Sequence, residues 1–498
     1  LTKAQFDPRA PAAAILALLL GLAAPAWASR RPATPLPAPA LPASYGGEAA
    51  GALLAPAALD RWWLLFGDPV LDALEAESLR ESPDALTAGA RDMEARATRA
   101  ARRAATFPSG SITGNASRQK AYAIGAPSND LNPTGGITDS ATGDFNVSWE
   151  LDLFGRLATA RRLADADAAE ARFNVEGTRA SLAAQVAEAY FQVRGLAIQL
   201  EDARQTARIR DDLLTVARRR ADAGAGPPDD VDRAAGQLAQ AEAQADDLAA
   251  QRDAARRDLL ILVGRDLAAV DDPLAERTLP EVPASPAAIP ADLLVRRPDV
   301  REAEYRLRAE LGSARLAHLA IFPTITLLPG LGLSSTASPG VSYIPPTTLI
   351  TSQQTTTTGF WTLGAGISTP TLDIPRLLRQ AQAEDARAHE AAIAYQGVVR
   401  TAFGEARDAL DSLAAGERAS MRLTAGELRA RRAYEATRRR YAQGLDDLTA
   451  TLSAEMEWRD IRSALTAERV DTLRRAVRTY KALGGGWAFA EAGGGGRS

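Results

Sequence analysis

Few residue types in this 498-residue sequence could carry covalent or metal chemistry. It has no cysteine, which removes disulfides, thiolate metal sites and cysteine nucleophiles together. Its two histidines, His318 and His389, both fall in polar helical stretches, where a solvated surface side chain is expected rather than a ligand or general base. Carboxylates are plentiful, yet 62 Asp and Glu are balanced by 58 Lys and Arg, and on helices this charged they pair with one another in water. The glycine-rich end, Gly493 to Gly496, follows no strand and opens no helix, so it is not a phosphate loop. The residues therefore specify no catalytic group, no metal and no cofactor, and an enzyme is the least supported reading. A net charge of -4 leaves no basic surface for nucleic acid. Function must lie in the patterning of the elements.

That patterning starts with an export signal. Lys3 and Arg9 precede an apolar run from Ala12 to Ala24, and Ala26-Trp27-Ala28 places small residues at the two positions that define cleavage, so residues 1–28 read as a signal peptide. The run is too short for the roughly 20 apolar residues of a spanning helix, and no later stretch qualifies. Residues 29–60 are a Pro/Ala-rich linker, and residues 488–498 read as a disordered tail. A proline cluster from Pro273 to Pro298 divides the remainder into two repeats, 61–280 and 281–487.

Each repeat contains a helical hairpin, expected at 155–265 and 376–482. Leu182, Val186, Tyr190, Val193, Leu196 and Leu200 recur at steps of three and four, as do Val399, Phe403, Ala406, Leu410 and Leu413. Such steps draw a narrow apolar seam, the mark of helices packed side by side. A single helix from Gly155 to Gly224 would be about 105 Å long, which no globular core requires. Arg218-Arg219-Arg220 before Gly224 recurs in register as Arg438-Arg439-Arg440 before Gly444. Glycine suits a left-handed helix end, and arginine opposes the negative end of the helix dipole. Asp230 or Asp446 then suits the start of the returning helix.

Upstream of each hairpin the period changes from helical to two. Phe145, Val147, Trp149, Leu151 and Leu153 alternate with Asp144, Asn146, Ser148, Glu150 and Asp152, giving a strand with one apolar and one polar face. The expected strands are about 109–120, 143–153, 323–334 and 359–369, two per repeat. Strands with one apolar and one polar face suit an outer-membrane barrel, lipid outside and water inside, but four cannot close one. Three copies would supply twelve. Trp149, Phe322, Phe360 and Trp361 then suit an interfacial aromatic girdle. The alternative from alternation alone is a soluble hairpin packed on the helices.

Three segments carry a family likeness: Glu150-Leu-Asp-Leu-Phe-Gly-Arg156, Leu293-Leu-Val-Arg-Arg-Pro-Asp-Val300 leading to Ala303-Glu304, and Ala482-Leu-Gly-Gly-Gly-Trp487. Trp62 to Pro69 and Phe322-Pro323 add to them. The sequence resembles the TolC-like outer-membrane efflux proteins, in the OprM-like and NodT-like branch, from Arg61 to Trp487. The resemblance implies a mainly α fold with a β-barrel portion: a homotrimer joining a twelve-stranded outer-membrane barrel to a periplasmic α-barrel of helical hairpins. Its implied partners are outer-membrane lipid, a periplasmic adaptor and an inner-membrane RND-type pump, and its implied cargo is drugs and toxic small molecules. The hairpin tips would hold the adaptor, through Arg220, Gly224, Pro228 and Asp230 on one and Arg440, Gly444, Leu445 and Asp446 on the other.

Two departures from the family pattern bear on this expectation. The cysteine that usually follows the signal peptide and is lipidated is missing, so the mature end should be an unmodified amine. The family also tends to place an aspartate nine residues after the second tip glycine, and here that position is Ser453. Leu445, Leu448 and Leu452 step along one side of the returning helix, toward its packing partner. Thr449 and Ser453, rotated by about 100°, can face a channel axis, with Asp446 and Asp447 the nearest carboxylates. The pore gate is therefore expected at Thr449, Ser453, Asp446 and Asp447, the alternative being that Ser453 lies between helices. Two rival functions stay open at this point: a protein-export duct fed by an ATP-driven system, and a periplasmic coiled-coil protein without a pore.

Overall fold

The computed structural model describes residues 59–122, 135–224, 227–266, 278–283, 296–344, 348–443 and 445–487. The expected signal segment, the linker up to residue 58, Gly444 and the expected tail lie outside the described residues. The described chain separates into two compact units, one formed by residues 96–168 and 306–392, the other by residues 59–95, 169–305 and 393–487. Among the described residues no helix is long and apolar enough to cross a membrane.

In chain order the elements are a 3-10 turn Trp62–Phe66, α1 Pro69–Glu81, α2 Pro83–Ala104, β1 Ser109–Tyr122, β2 Gly135–Leu151, α3 Arg156–Asp222 and α4 Asp229–Val263. They continue with α5 Pro298–Leu319, β3 Thr324–Ile344, β4 Thr348–Ser368, α6 Ile374–Ala442 and α7 Leu448–Ala482. The helices α3 and α6 run for 67 and 69 residues, or about 100 Å each at 1.5 Å per residue. Alanine and straight-chain charged residues favour helix throughout α3, which contains no proline. Leu196 and Leu200 of α3 pack with Leu248 of α4, closing the first hairpin along the seam.

The second unit has its core where the N-terminal turn meets α3 and α7. Trp62 stacks on Tyr480 at 6.0 Å, and Phe66 meets Phe191 at 5.1 Å. Leu71, Val186, Tyr190, Phe191, Leu259, Leu473, Val477 and Tyr480 fill the same cluster. Asp68 starts α1 by accepting hydrogen bonds from the amides of Val70, at 3.0 Å, and Leu71, at 3.3 Å. Its other carboxylate oxygen accepts from the Tyr190 hydroxyl at 2.7 Å and pairs with Arg194, so one buried acid both caps a helix and fixes it to α3.

In the first unit the four strands form one antiparallel sheet in the order β1-β2-β3-β4. The strands run longer than alternation alone marked: β2 begins at Gly135, β3 extends to Ile344 and β4 begins at Thr348. Register sorts the faces. Leu151, Ile325 and Ile367 form one cross-strand row, and the rows Trp149-Leu327-Ala365, Pro329-Leu363, Ile112-Phe145-Leu331-Trp361 and Gly114-Gly143-Leu333-Gly359 follow on the same face. Ile112, Phe145, Trp149, Leu331, Leu333, Trp361 and Leu363 are all exposed in the single chain. Beyond them the face turns polar, and Arg118 pairs with Asp139 at 2.6 Å. Those twelve steps from Leu151 to Asp139 make about 40 Å along a strand, or about 30 Å when tilted by ~40°, which carries the charged pair past a lipid band about 25 Å tall.

Two of the expected girdle residues are placed differently. Trp149 and Phe322 sit near strand ends, Phe322 stacking on Phe154 at 4.9 Å. Trp361 lies well inside β4 on the apolar face, and Phe360 points to the other, polar face, because adjacent strand residues alternate. The histidine expectation also changes. His318 of α5 meets Asp385 of α6 at 3.0 Å, so it links two helices instead of standing alone in water, while His389 is exposed.

Candidate functional site: hairpin tips and the junctions that hold them

The first tip forms where α3 ends. Gly224 adopts φ 65, the left-handed conformation that lets its amide bond back to the Ala221 carbonyl at 3.0 Å. The Arg220 guanidinium lies 5.1 Å above the Tyr441 ring, tying the end of α3 to the end of α6. The returning helix α4 starts with no side-chain cap. Pro228 occupies the cap position, and Asp229, Asp230 and Asp232 place negative charge in the first turn, where the helix dipole favours it.

In the second tip the Leu445 amide bonds to the Arg440 carbonyl at 2.9 Å, and the Arg440 side chain pairs with Asp446 at 2.9 Å. Asp447, not Asp446, caps α7, accepting from the Ala450 amide at 2.6 Å. The cap must reach the amide three residues on, and in this turn only Asp447 stands at that offset from the first helical residues. Asp446 is folded back onto Arg440 instead.

Below the turns Leu213, Leu214 and Ala217 of α3, Ala234 of α4, Tyr441 of α6 and Leu448 and Leu452 of α7 form one cluster, so the two tips pack as a unit. Leu448 and Leu452 face the packing partner, as their spacing requires. Leu445 does not: it precedes the helix, and it is 67% exposed. The helical step of three from Leu448 does not extend into a turn that is not helical. Of the expected gate residues, Ser453 is exposed on α7, and Thr449 lies 3.5 Å from Arg233, which also reaches Asp230 at 3.4 Å. A polar contact thus joins the two tips beside the shared apolar cluster.

One turn further along α7 lies a charged group that the sequence argument passed over. Glu455 is fully buried between Arg210 of α3, at 3.5 Å, and Arg459, at 3.6 Å. Burial raises its pKa even though both arginines pull the other way, and burial lowers that of Arg459. Arg459 lies 4.1 Å above Trp458, whose indole stacks on Tyr434 at 5.2 Å and donates to Glu427 at 2.8 Å. The signal was present: continuing the seam from Leu448 and Leu452 by three lands on Glu455, a carboxylate in an apolar position.

The segments that carried the family likeness are junctions. In the first, Asp152 accepts from the Leu157 amide at 2.9 Å and from the Ala158 amide at 2.8 Å, Glu150 holds Arg156, and Gly155 at φ 78 makes the turn between strand and helix. In the second, Arg297 reaches Asp299 at 2.7 Å, Glu405 at 2.6 Å and the Ala482 carbonyl at 3.2 Å. Arg296 pairs with Asp60 at 2.7 Å, and its carbonyl accepts from the Trp487 indole at 2.8 Å. The third segment fits the same place: a side chain at Gly484, whose φ is 81, would meet the Arg296 backbone at 2.8 Å.

Among the described residues no group of acidic or histidine side chains could hold a metal ion. What the geometry provides is a two-faced sheet with open edges and two paired hairpin tips.

The outer membrane efflux protein family model matches residues 74–265 and 289–485. The chain is 31% identical over 438 residues to the toluene efflux pump outer membrane protein TtgF of Pseudomonas putida, covering 86% of this chain and 85% of that one. It is 29% identical over 431 residues to the pyoverdine export outer membrane protein OpmQ of Pseudomonas aeruginosa, covering 86% and 87%. Among solved structures, the outer-membrane channel OprN superposes with a TM-score of 0.76 at 26% identity, covering 92% of this chain and 98% of that one.

Proposed function

This chain belongs to the outer membrane efflux protein family, and from that premise we propose that it is one subunit of a homotrimeric duct which passively conducts small toxic molecules out of the cell. The observation that carries the trimer is the sheet. Its apolar face asks for lipid, and β1 and β4 present edges that no described strand pairs. Unpaired backbone groups cost several kcal/mol each in hydrocarbon, so the sheet must close with copies of itself, and three copies make twelve strands. Twelve strands about 4.8 Å apart and tilted by ~40° enclose a backbone diameter of about 24 Å, wide enough for a water-filled lumen on the polar face.

The duct spans the outer membrane through these strands, and its helical hairpins serve the periplasmic side. There a periplasmic adaptor, itself joined to an RND-type inner-membrane pump, docks on Arg220, Gly224, Pro228 and Asp230 of one tip and Arg440, Gly444, Leu445 and Asp446 of the other. The exposed Leu445 supports this: an apolar side chain held outside the cluster by its own turn is available to a partner. Thr449 and Ser453, with Asp446 and Asp447 beside them, line the periplasmic opening, and the exposure of Ser453 supports that placement. The signal segment is removed after Ala28 with no acyl chain added, which an intact mass of the mature protein tests.

Mass measurement in detergent and conductance in planar bilayers test the duct itself. A trimer with open-channel current is the expected result. A stable folded monomer, or a trimer without current, refutes it.

A further inference from the structure

The polar face of the sheet is built mainly of Ser, Thr, Asn and Gly, with Leu328 and the Arg156-paired Glu150 near the strand ends, and one row further along sets a charge beside an aromatic ring. Thr113, Asp144, Gly332 and Phe360 are successive register partners across β1, β2, β3 and β4, so their side chains share a face and a height. The Phe360 ring lies over Gly332, in space that any side chain at that position would claim. The tip of the ring is therefore laid one strand back, over the Gly332 position that separates Phe360 from Asp144, and Phe360 is 45% exposed. No hydrogen bond or ion pair among the described residues engages the Asp144 carboxylate. The flanking rows, Asn115-Thr142-Ser334-Thr358 and Ser111-Asn146-Gly330-Thr362, contain neither a charge nor an aromatic ring.

We propose that Asp144 and Phe360 form a luminal subsite for aromatic organic cations, repeated three times around the duct at one height. The inference rests on the duct reading, which turns this face toward the lumen. A carboxylate alone would favour any cation, and small ions keep their hydration. An aromatic face alone would favour any apolar body. Side by side, they select a cargo that is both, since a weakly hydrated cation stacks on the ring while its charge meets the carboxylate. In a barrel whose backbone diameter is about 24 Å the three subsites line the path without closing it, which suits weak, repeated contact during passage.

The test uses the full-length trimer in planar bilayers, with tetraphenylphosphonium as the probe and neutral triphenylphosphine oxide as the control, at low ionic strength where screening is weakest. Wild-type current reads the duct, and the blocking constants read the subsite. Asp144→Asn should weaken tetraphenylphosphonium block about fivefold or more and leave the neutral control unchanged. Phe360→Leu, which keeps an apolar cover on Gly332 but removes the π-face, should weaken it by a similar factor. An unchanged blocking constant in a conducting Asp144→Asn trimer overturns the subsite and leaves the duct standing, even where Phe360→Leu fails to assemble. A wild-type trimer that carries no current overturns both.

Discussion

Glu75 offers a sharp test of how the second unit is held together. It lies on α1 within the core that Leu71, Leu74, Leu259 and Val263 line, is fully buried, and has no hydrogen-bond partner for either carboxylate oxygen. Burial, reinforced by the nearby Asp72, holds its pKa well above 4.5. In the unfolded chain the group has its ordinary pKa, so the native state binds more protons between the two values, and stability falls as pH rises through that window. Glu75→Leu removes both the unsatisfied polar atoms and the proton linkage while keeping volume. An unpaired buried polar group costs about 1–3 kcal/mol, so the substitution should stabilise each subunit by about 2–4 kcal/mol once the regained apolar contact is included. For a chain of this length the unfolding entropy is roughly 1 kcal/mol per degree, and the gain becomes about 2–4 °C in melting midpoint. The assay is thermal unfolding of the detergent-solubilised protein at a fixed scan rate, at pH 5 and pH 8. The midpoint gain should be larger at pH 8, where the wild type carries more of the penalty of the raised pKa than at pH 5. An equal gain at both pH values, or a loss, would refute the reasoning, because it would mean that Glu75 finds a partner that keeps it charged at no cost.

Three further outcomes are expected. Ser453→Asp should raise cation selectivity in planar-bilayer recordings, most visibly at low salt, by setting three like charges around a narrow opening; an unchanged reversal potential in a folded trimer would place the gate elsewhere. Leu445→Trp should abolish efflux in cells without lowering trimer yield, since Leu445 lies outside the tip cluster, and normal efflux would remove it from the docking surface. Gly484→Ala should lower the melting midpoint by about 2–5 °C, combining left-handed strain of about 1–2 kcal/mol with overpacking of about 1–3 kcal/mol against the Arg296 backbone, and an unshifted midpoint would contradict that contact.

Much of this architecture was already legible along the chain because periodicity is a local property. Steps of three and four through Leu182, Val186, Tyr190, Val193 and Leu196 mark helix whatever they pack against, and alternation from Asp144 to Leu151 marks a two-faced strand before any neighbour is known. The tip glycine showed in the sequence for the same reason, since Gly224 answers to its own φ. Strand lengths did not show, because the far halves of β3 and β4 are dominated by Ser, Thr and Gln with little regular apolar alternation, and only pairing defines them. The seam likewise could not reveal that Leu445 leaves it, because the turn is set by the Asp447 cap and by Arg440 holding Asp446. Glu455 stood at a seam position that its spacing from Leu452 marked, but its burial, like that of Glu75 and the Asp144-Phe360 row, belongs to tertiary structure. A carboxylate on a helix looks solvated until the packed neighbours show that water is excluded, and two residues more than 200 positions apart share a height only once strand register has brought them there.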